Sequence, residues 1–253
     1  MTDAFVSAER QVLLNLLALE LHTGEIEPYG ADPDQIIEWH GPLDGEMVVY
    51  VHGGYFRATT DRTHARPAAI ALAQAGYRVA LVEYRRVAGS PLLSLEDMKT
   101  LAKHPLLRDA AWVGHSAGGT FVLDVVLDRE LEPRRAIALA PLADLILDAN
   151  ENVDGGQTAV WVGGMPEDLP EVYAQVDPLT LFRKLGHAAF TAKGVQADII
   201  HGALDETVPV ERSRALRGEA FSVAILPEAN HFDLIRPDSD AWLLLLGALH
   251  RDK

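Results

Sequence analysis

From residue 77 onward the chain alternates short apolar runs with helical stretches, a rhythm that restricts it to a mostly parallel sheet covered by helices. The apolar runs are residues 77–83, 110–114, 135–140, 197–201 and 222–226. Helical spacing appears near 66–75, 94–103, 118–128, 210–216 and 238–250. Two runs lie upstream, 35–40 and 46–51. The turn residues Gly41-Pro42-Leu43-Asp44-Gly45 between them predict a hairpin-type connection. Residues 6–21 place Val12, Leu13, Leu16, Leu17 and Leu19 on one helical face, and 24–33 is turn-rich. Residues 145–189 hold no clean strand; an insertion of that length after a strand is expected to form a lid or pocket wall. We therefore expect one α/β domain over 1–253, antiparallel at its start and parallel afterwards, with an insertion at about 145–190.

The composition narrows the function. Lys and Arg total 22 against 37 Asp and Glu, a net charge of −15, which repels phosphate backbones and anionic lipid. Neither a nucleic-acid nor a membrane partner is expected. There is no cysteine, which excludes disulfides, thiolate metal sites and a thiol nucleophile. The start, Met1-Thr2-Asp3-Ala4, lacks the basic and apolar regions of a signal peptide, and the apolar stretch 242–249 is too short to span a bilayer. A cytoplasmic protein is expected, and a homodimer is left open. No His-Glu-x-x-His, Gly-x-Gly-x-x-Gly after a strand, or P-loop lysine occurs, so neither metal nor cofactor is expected.

The chemistry is carried by four motifs, each at the end of an apolar run. Gly114-His115-Ser116-Ala117-Gly118-Gly119 matches Gly-x-Ser-x-Gly and lies between the run 110–113 and a helical stretch. A strand, sharp turn and helix lift such a serine above the sheet as a nucleophile. His52-Gly53-Gly54-Tyr55-Phe56 follows the second upstream run. Acyl transfer needs N–H groups aimed at a developing oxyanion. Gly54 and Tyr55 are the preferred donors there, with Gly53 giving the turn freedom, and Ala117 supplies the donor after the nucleophile. Asp205, in His201-Gly202-Ala203-Leu204-Asp205-Glu206, lies 89 residues after Ser116 and is the expected acid; the alternatives are a helix cap for Asp205 and Asp144 as a rival acid. His231, in Asn230-His231-Phe232, follows the last run and is the expected base. His115 and His201 are expected to pack or hydrogen-bond locally. Phe56 and Trp161 are candidate pocket residues, as are Tyr173 and Phe182.

These motifs, in this order over roughly residues 35–250, resemble the esterase and lipase branch of the α/β-hydrolases. Within it, His52-Gly53-Gly54-Tyr55-Phe56-Arg57 and Glu83-Tyr84-Arg85-Arg86-Val87 look like the kynurenine formamidase (arylformamidase)-like enzymes, with Phe56 where that group commonly has Trp. The resemblance implies an α/β-hydrolase fold and a serine hydrolase cleaving a small-molecule ester or formamide substrate through an acyl-enzyme. A peptidase or acyl-aminoacyl hydrolase, and a non-catalytic small-ligand binder on the same fold, are the alternatives.

Overall fold

The computed structural model describes residues 7–251 apart from 132 and 219; Met1–Ala4 and Val6, the expected helix start, lie outside them. The strands are β1 (Glu25–Pro28), β2 (Ile36–His40), β3 (Glu46–Val51), β4 (Tyr77–Val82), β5 (Ala111–His115), β6 (Arg135–Leu139), β7 (Gln196–Gly202) and β8 (Ser222–Leu226). They form one sheet in the order β1-β2-β4-β3-β5-β6-β7-β8. β2 is antiparallel to both β1 and β4, and every later pairing is parallel.

Val48 to Val51 of β3 are fully buried, as a strand covered on both faces must be. Val49 and Val51 enter the core on one face, and Val48 and Tyr50 the core on the other, following the two-residue period of a strand. The helices are α1 (Ala8–Leu17), α2 (Arg66–Gln74), α3 (Pro91–Ala102), α4 (Ala117–Leu127), α5 (Leu145–Asn150), α6 (Gln157–Val162), α7 (Pro170–Val176), α8 (Pro178–Leu185), α9 (His187–Ala192), α10 (Glu211–Arg214) and α11 (Asp240–His250). Residues of α1, α2 and α11 build one core, and residues of α3 to α9 the other. Among the described residues no helix is long and apolar enough to cross a membrane.

Three expectations are corrected. β2 and β3 are not hairpin partners, because β4 lies between them. Their connection passes tightly over the start of β4: a Cβ on Gly41 would fall 2.0 Å from Tyr77 O, and one on Gly45 2.6 Å from Arg78 N. These glycines serve a crossing rather than a hairpin turn. The turn-rich segment also contains β1, an edge strand whose four residues are all exposed, so no burial pattern marks it in the sequence. α1 stops at Leu17, short of the expected 21.

Candidate active site

Each of the four expected motifs follows the C-terminal end of a parallel strand, where ligands of open α/β sheets bind. His52 follows β3, Ser116 follows β5, Asp205 lies three residues past β7, and His231 five past β8. Ser116 occupies a strained backbone conformation, φ 56° and ψ −125°, between β5 and α4. The glycines around it are dictated by contact. A Cβ on Gly114 would lie 2.3 Å from Gly118 O, and one on Gly118 2.1 Å from Val51 O. Ala117 opens α4, so its N–H has no partner within the helix and points out of a positive helix end.

The loop after β3 is equally constrained. Gly54, Tyr55 and Phe56 all have positive φ, at 121°, 51° and 59°. The Gly54 carbonyl is taken by Arg57 N–H at 3.0 Å, while among the described residues the N–H groups of Gly54 and Tyr55 donate to no backbone carbonyl. Gly53 is needed for a different reason than turn freedom. A Cβ there would sit 2.8 Å from both Ser116 Cβ and His115 O, so the loop closes directly on the serine.

Behind the loop lies a buried charge cluster. His52 Nε2 meets Glu83 Oε1 at 2.7 Å, its Nδ1 faces Gly53 O at 2.6 Å, and Tyr84 donates its hydroxyl to His52 O at 2.9 Å. Glu83 also accepts from Arg62 N–H at 3.1 Å and pairs with Arg86, which in turn donates to Arg57 O at 3.2 Å. Burial alone would raise the Glu83 pKa, but His52 and Arg86 outweigh it and hold the carboxyl down at about 2. The Glu-Tyr-Arg-Arg motif thus scaffolds the loop from beneath.

Asp205 and His231 meet at 2.7 Å, Oδ2 to Nδ1. The carboxylate can only accept, so His231 Nδ1 carries a proton, and in the neutral ring this leaves the lone pair on Nε2, the tautomer a base toward serine requires. Among the described residues neither Ser116 Oγ nor His231 Nε2 is hydrogen-bonded, and both residues line one cleft of about 360 Å³. The Asp205 carboxylate has further partners. Oδ1 accepts from the N–H groups of Thr207 and Val208 at 2.9 and 2.7 Å, and His201 Nε2 lies 3.0 Å from Oδ2. Burial opposes its ionisation, but His231 and His201 keep it well below the usual carboxylate range. His201 is locked in turn by Ser213 Oγ at 2.7 Å and Val208 O at 3.0 Å. His115, which burial keeps neutral, donates from Nε2 to the His231 carbonyl at 3.0 Å. The Asp205 and His231 loops touch: a Cβ on Gly202 would lie 2.2 Å from Ala229 O. Asp144, the rival acid, caps α5 by accepting from Leu147 N–H at 2.9 Å, and Glu206 is exposed.

Four expected pocket residues are corrected. Tyr173 is fully buried and donates its hydroxyl to Gly164 O at 3.0 Å, away from the cleft. Phe56 and Trp161 are 2% and 1% exposed and stack on each other at 4.0 Å in the core behind the loop, where neither borders the cleft. Positive φ at Phe56 turns its ring inward, and Trp161 on α6 packs over it. Phe182 packs against Phe190 and Phe221 instead. The segment 145–192 forms five α-helices and a 3-10 turn (Val153–Gly156), yet of it only Asp154 borders the cleft, paired at 2.5 Å with Arg57.

Sequence reasoning missed the rest of the wall. Glu9, Arg10 and Leu13 of α1 line the cleft, as does His64, which burial lowers to a pKa of about 4 and so keeps neutral. The spacing of Val12 and Leu16 marks an amphipathic helix but not what it packs against. Among the described residues no group of three or more acidic or histidine side chains is arranged to hold a metal ion.

No protein-family model matches the chain, and no curated protein matches it in sequence. Solved structures do. A protein assigned as a thioesterase from Silicibacter sp. TM1040 is 18% identical, with a TM-score of 0.74 over 98% of this chain and 96% of its own. Esterase B from Lactobacillus rhamnosis is 16% identical, with a TM-score of 0.73 over 95% of this chain and 89% of its own. A hormone-sensitive lipase from a metagenome library is 17% identical, with a TM-score of 0.69 over 95% and 89%. Strand order, crossover pattern and these matches together identify the architecture of this chain as the α/β-hydrolase fold.

Proposed function

We propose that the protein is a serine hydrolase that cleaves a small carboxylic ester or formamide through an acyl-enzyme. The observation that carries this reading is the Asp205–His231 hydrogen bond of 2.7 Å, made by a histidine that lines one cleft together with the strained Ser116. In the first step His231 Nε2 takes the Ser116 hydroxyl proton as Oγ bonds to the substrate carbonyl carbon. The negative charge that forms on the carbonyl oxygen is met by N–H groups of Ala117 and of Gly54 or Tyr55. His231 then passes the proton to the leaving oxygen or nitrogen as that bond breaks. A water molecule repeats the sequence on the acyl-enzyme and restores Ser116. Asp205 holds the imidazole in its working tautomer and stabilises the transient imidazolium.

A cleft of about 360 Å³ is at the small end for ligand sites and favours a compact substrate. The names of the esterases that share the fold favour ester cleavage, whereas the formamide reading rests on the resemblance of the His-Gly-Gly-Tyr and Glu-Tyr-Arg-Arg motifs. The test is labelling with an active-site fluorophosphonate, followed by turnover of p-nitrophenyl acetate beside N-formylkynurenine. Wild type is expected to be labelled and to turn over at least one of them. Ser116→Ala should lose labelling and about 10⁶-fold in turnover. Burst kinetics retained by Ser116→Ala would overturn the reading.

A further inference from the structure

Glu9 is an acidic residue in the first turn of a peripheral helix, yet it is only 4% exposed. Its carboxylate spends its lone pairs on the two loops that carry the acid and the base. Oε1 accepts from Glu206 N–H at 2.7 Å and from His231 N–H at 3.0 Å, and Oε2 accepts from the Thr207 hydroxyl at 2.8 Å. Glu206 and Thr207 directly follow Asp205. His231 is thereby held at both polar groups of its backbone: the N–H donates to Glu9, and the C=O accepts from His115 at 3.0 Å.

We propose that Glu9 is a positioning residue, bracing the Asp205 loop against the His231 loop so that the 2.7 Å acid–base hydrogen bond keeps its register. The role rests on the serine-hydrolase reading of the site. Packing by itself does not require a carboxylate here. α1 has its own apolar anchorage, with Leu16 buried and Val12 packed in the core that α2 and α11 share, so the helix has a reason to dock without Glu9. What the carboxylate adds is two acceptors that reach both loops at once. The His231 N–H is buried and costly to leave without an acceptor, so removing Glu9 should let the loops shift until water or another acceptor satisfies it.

The chemistry predicts which substitution is tolerated. In Glu9→Gln the amide oxygen still accepts from the Glu206 and His231 N–H groups, and the amide nitrogen donates to the Thr207 hydroxyl, which accepts as well as it donates. Glu9→Ala satisfies none of them. The experiment compares these two variants with wild type, Ser116→Ala and the outward-facing control Gln11→Ala, all as the full chain and all checked by thermal unfolding. A misplacement of the base by a fraction of an ångström to one ångström should lower kcat of Glu9→Ala by about 10²-fold and leave KM within about twofold, whereas Glu9→Gln recovers most of the rate.

A second readout needs no substrate: the downfield proton of His231 Nδ1–H in the NMR spectrum, assigned by its absence in His231→Gln. It should persist in Glu9→Gln and broaden or vanish in Glu9→Ala. A folded Glu9→Ala with unchanged kcat and an unchanged resonance would overturn the proposal, as would a loss confined to KM. If Glu9→Ala does not fold, Thr207→Val decides, with about a fivefold fall in kcat at unchanged KM expected and no change overturning it. A wild type inactive on every ester and formamide, or an active Ser116→Ala, removes the hydrolase reading instead, while the resonance still reports on Glu9.

Discussion

Replacing Glu83 by Gln takes one negative charge from beneath the loop that follows β3, and the structure sets the size of the effect. Glu83 is 2% exposed, so solvent screening gives little relief. Burial would raise its pKa, but His52 and Arg86 bring it from the ordinary 4.5 to about 2. At 1.36 kcal/mol per pH unit that gap contributes about 3 kcal/mol of folding stability at pH 7. The sign follows from the depression. The contribution is complete above pH 4.5, the unfolded value, and disappears as the pH falls through the folded value near 2. Gln also leaves Arg86 and Arg62 facing a neutral group, and breaking a buried pair costs about 3–5 kcal/mol. Glu83→Gln should therefore lose about 3–5 kcal/mol at pH 7, measured by urea unfolding followed by tryptophan fluorescence. At pH 3 the wild-type advantage should shrink by about 2 kcal/mol, because much of the carboxylate contribution has already gone. A difference below 1 kcal/mol at pH 7, or one that is the same at both pH values, would refute the reasoning.

Other substitutions probe separate parts of the site. Asp205→Asn should lose about 10⁴-fold in turnover because Asn offers His231 the wrong partner, while Asp144→Asn should stay near wild type because Asn caps a helix as well as Asp. The reverse order, with both proteins folded, would move the acid to Asp144. Gly118→Ala places a Cβ 2.1 Å from Val51 O, so it should cost about 1–3 kcal/mol in denaturant unfolding, and an unchanged midpoint would show that α4 does not need that close approach. Across acetyl, butyryl, octanoyl and palmitoyl nitrophenyl esters, kcat/KM should fall steeply, since each methylene that a tight pocket rejects is worth about 1–3 kcal/mol. A maximum at octanoyl or beyond would mean a deep acyl channel.

The features legible in the sequence are those whose cause lies within a few residues. The turn at Ser116 needs Gly114 and Gly118 because strand and helix meet there, and both sit within two positions of the serine. The apolar runs and the helical spacing between them report which faces are buried, which is enough for a parallel sheet with loops at one end. The Ser, Asp, His order along the chain then brings Asp205 and His231 to neighbouring strand ends, where they meet at 2.7 Å. Periodicity does not report against what a face is buried. β2 carries the same pattern whether β3 or β4 is its neighbour, and only the assembled sheet decided for β4. Phe56 and Trp161 are aromatic residues near the site in sequence, but the left-handed backbone at Phe56 sends its ring into the core rather than the cleft. Glu83 and Arg86 read as ordinary charges after a strand until His52, 31 residues upstream of Glu83, is folded onto them. Glu9 is the extreme case. An acid in the first turn of an amphipathic helix reads as a solvated, dipole-compensating residue. Its partners lie 197, 198 and 222 residues away, so its burial depends on where α1 docks, and no local pattern encodes a contact that only the closed tertiary structure makes.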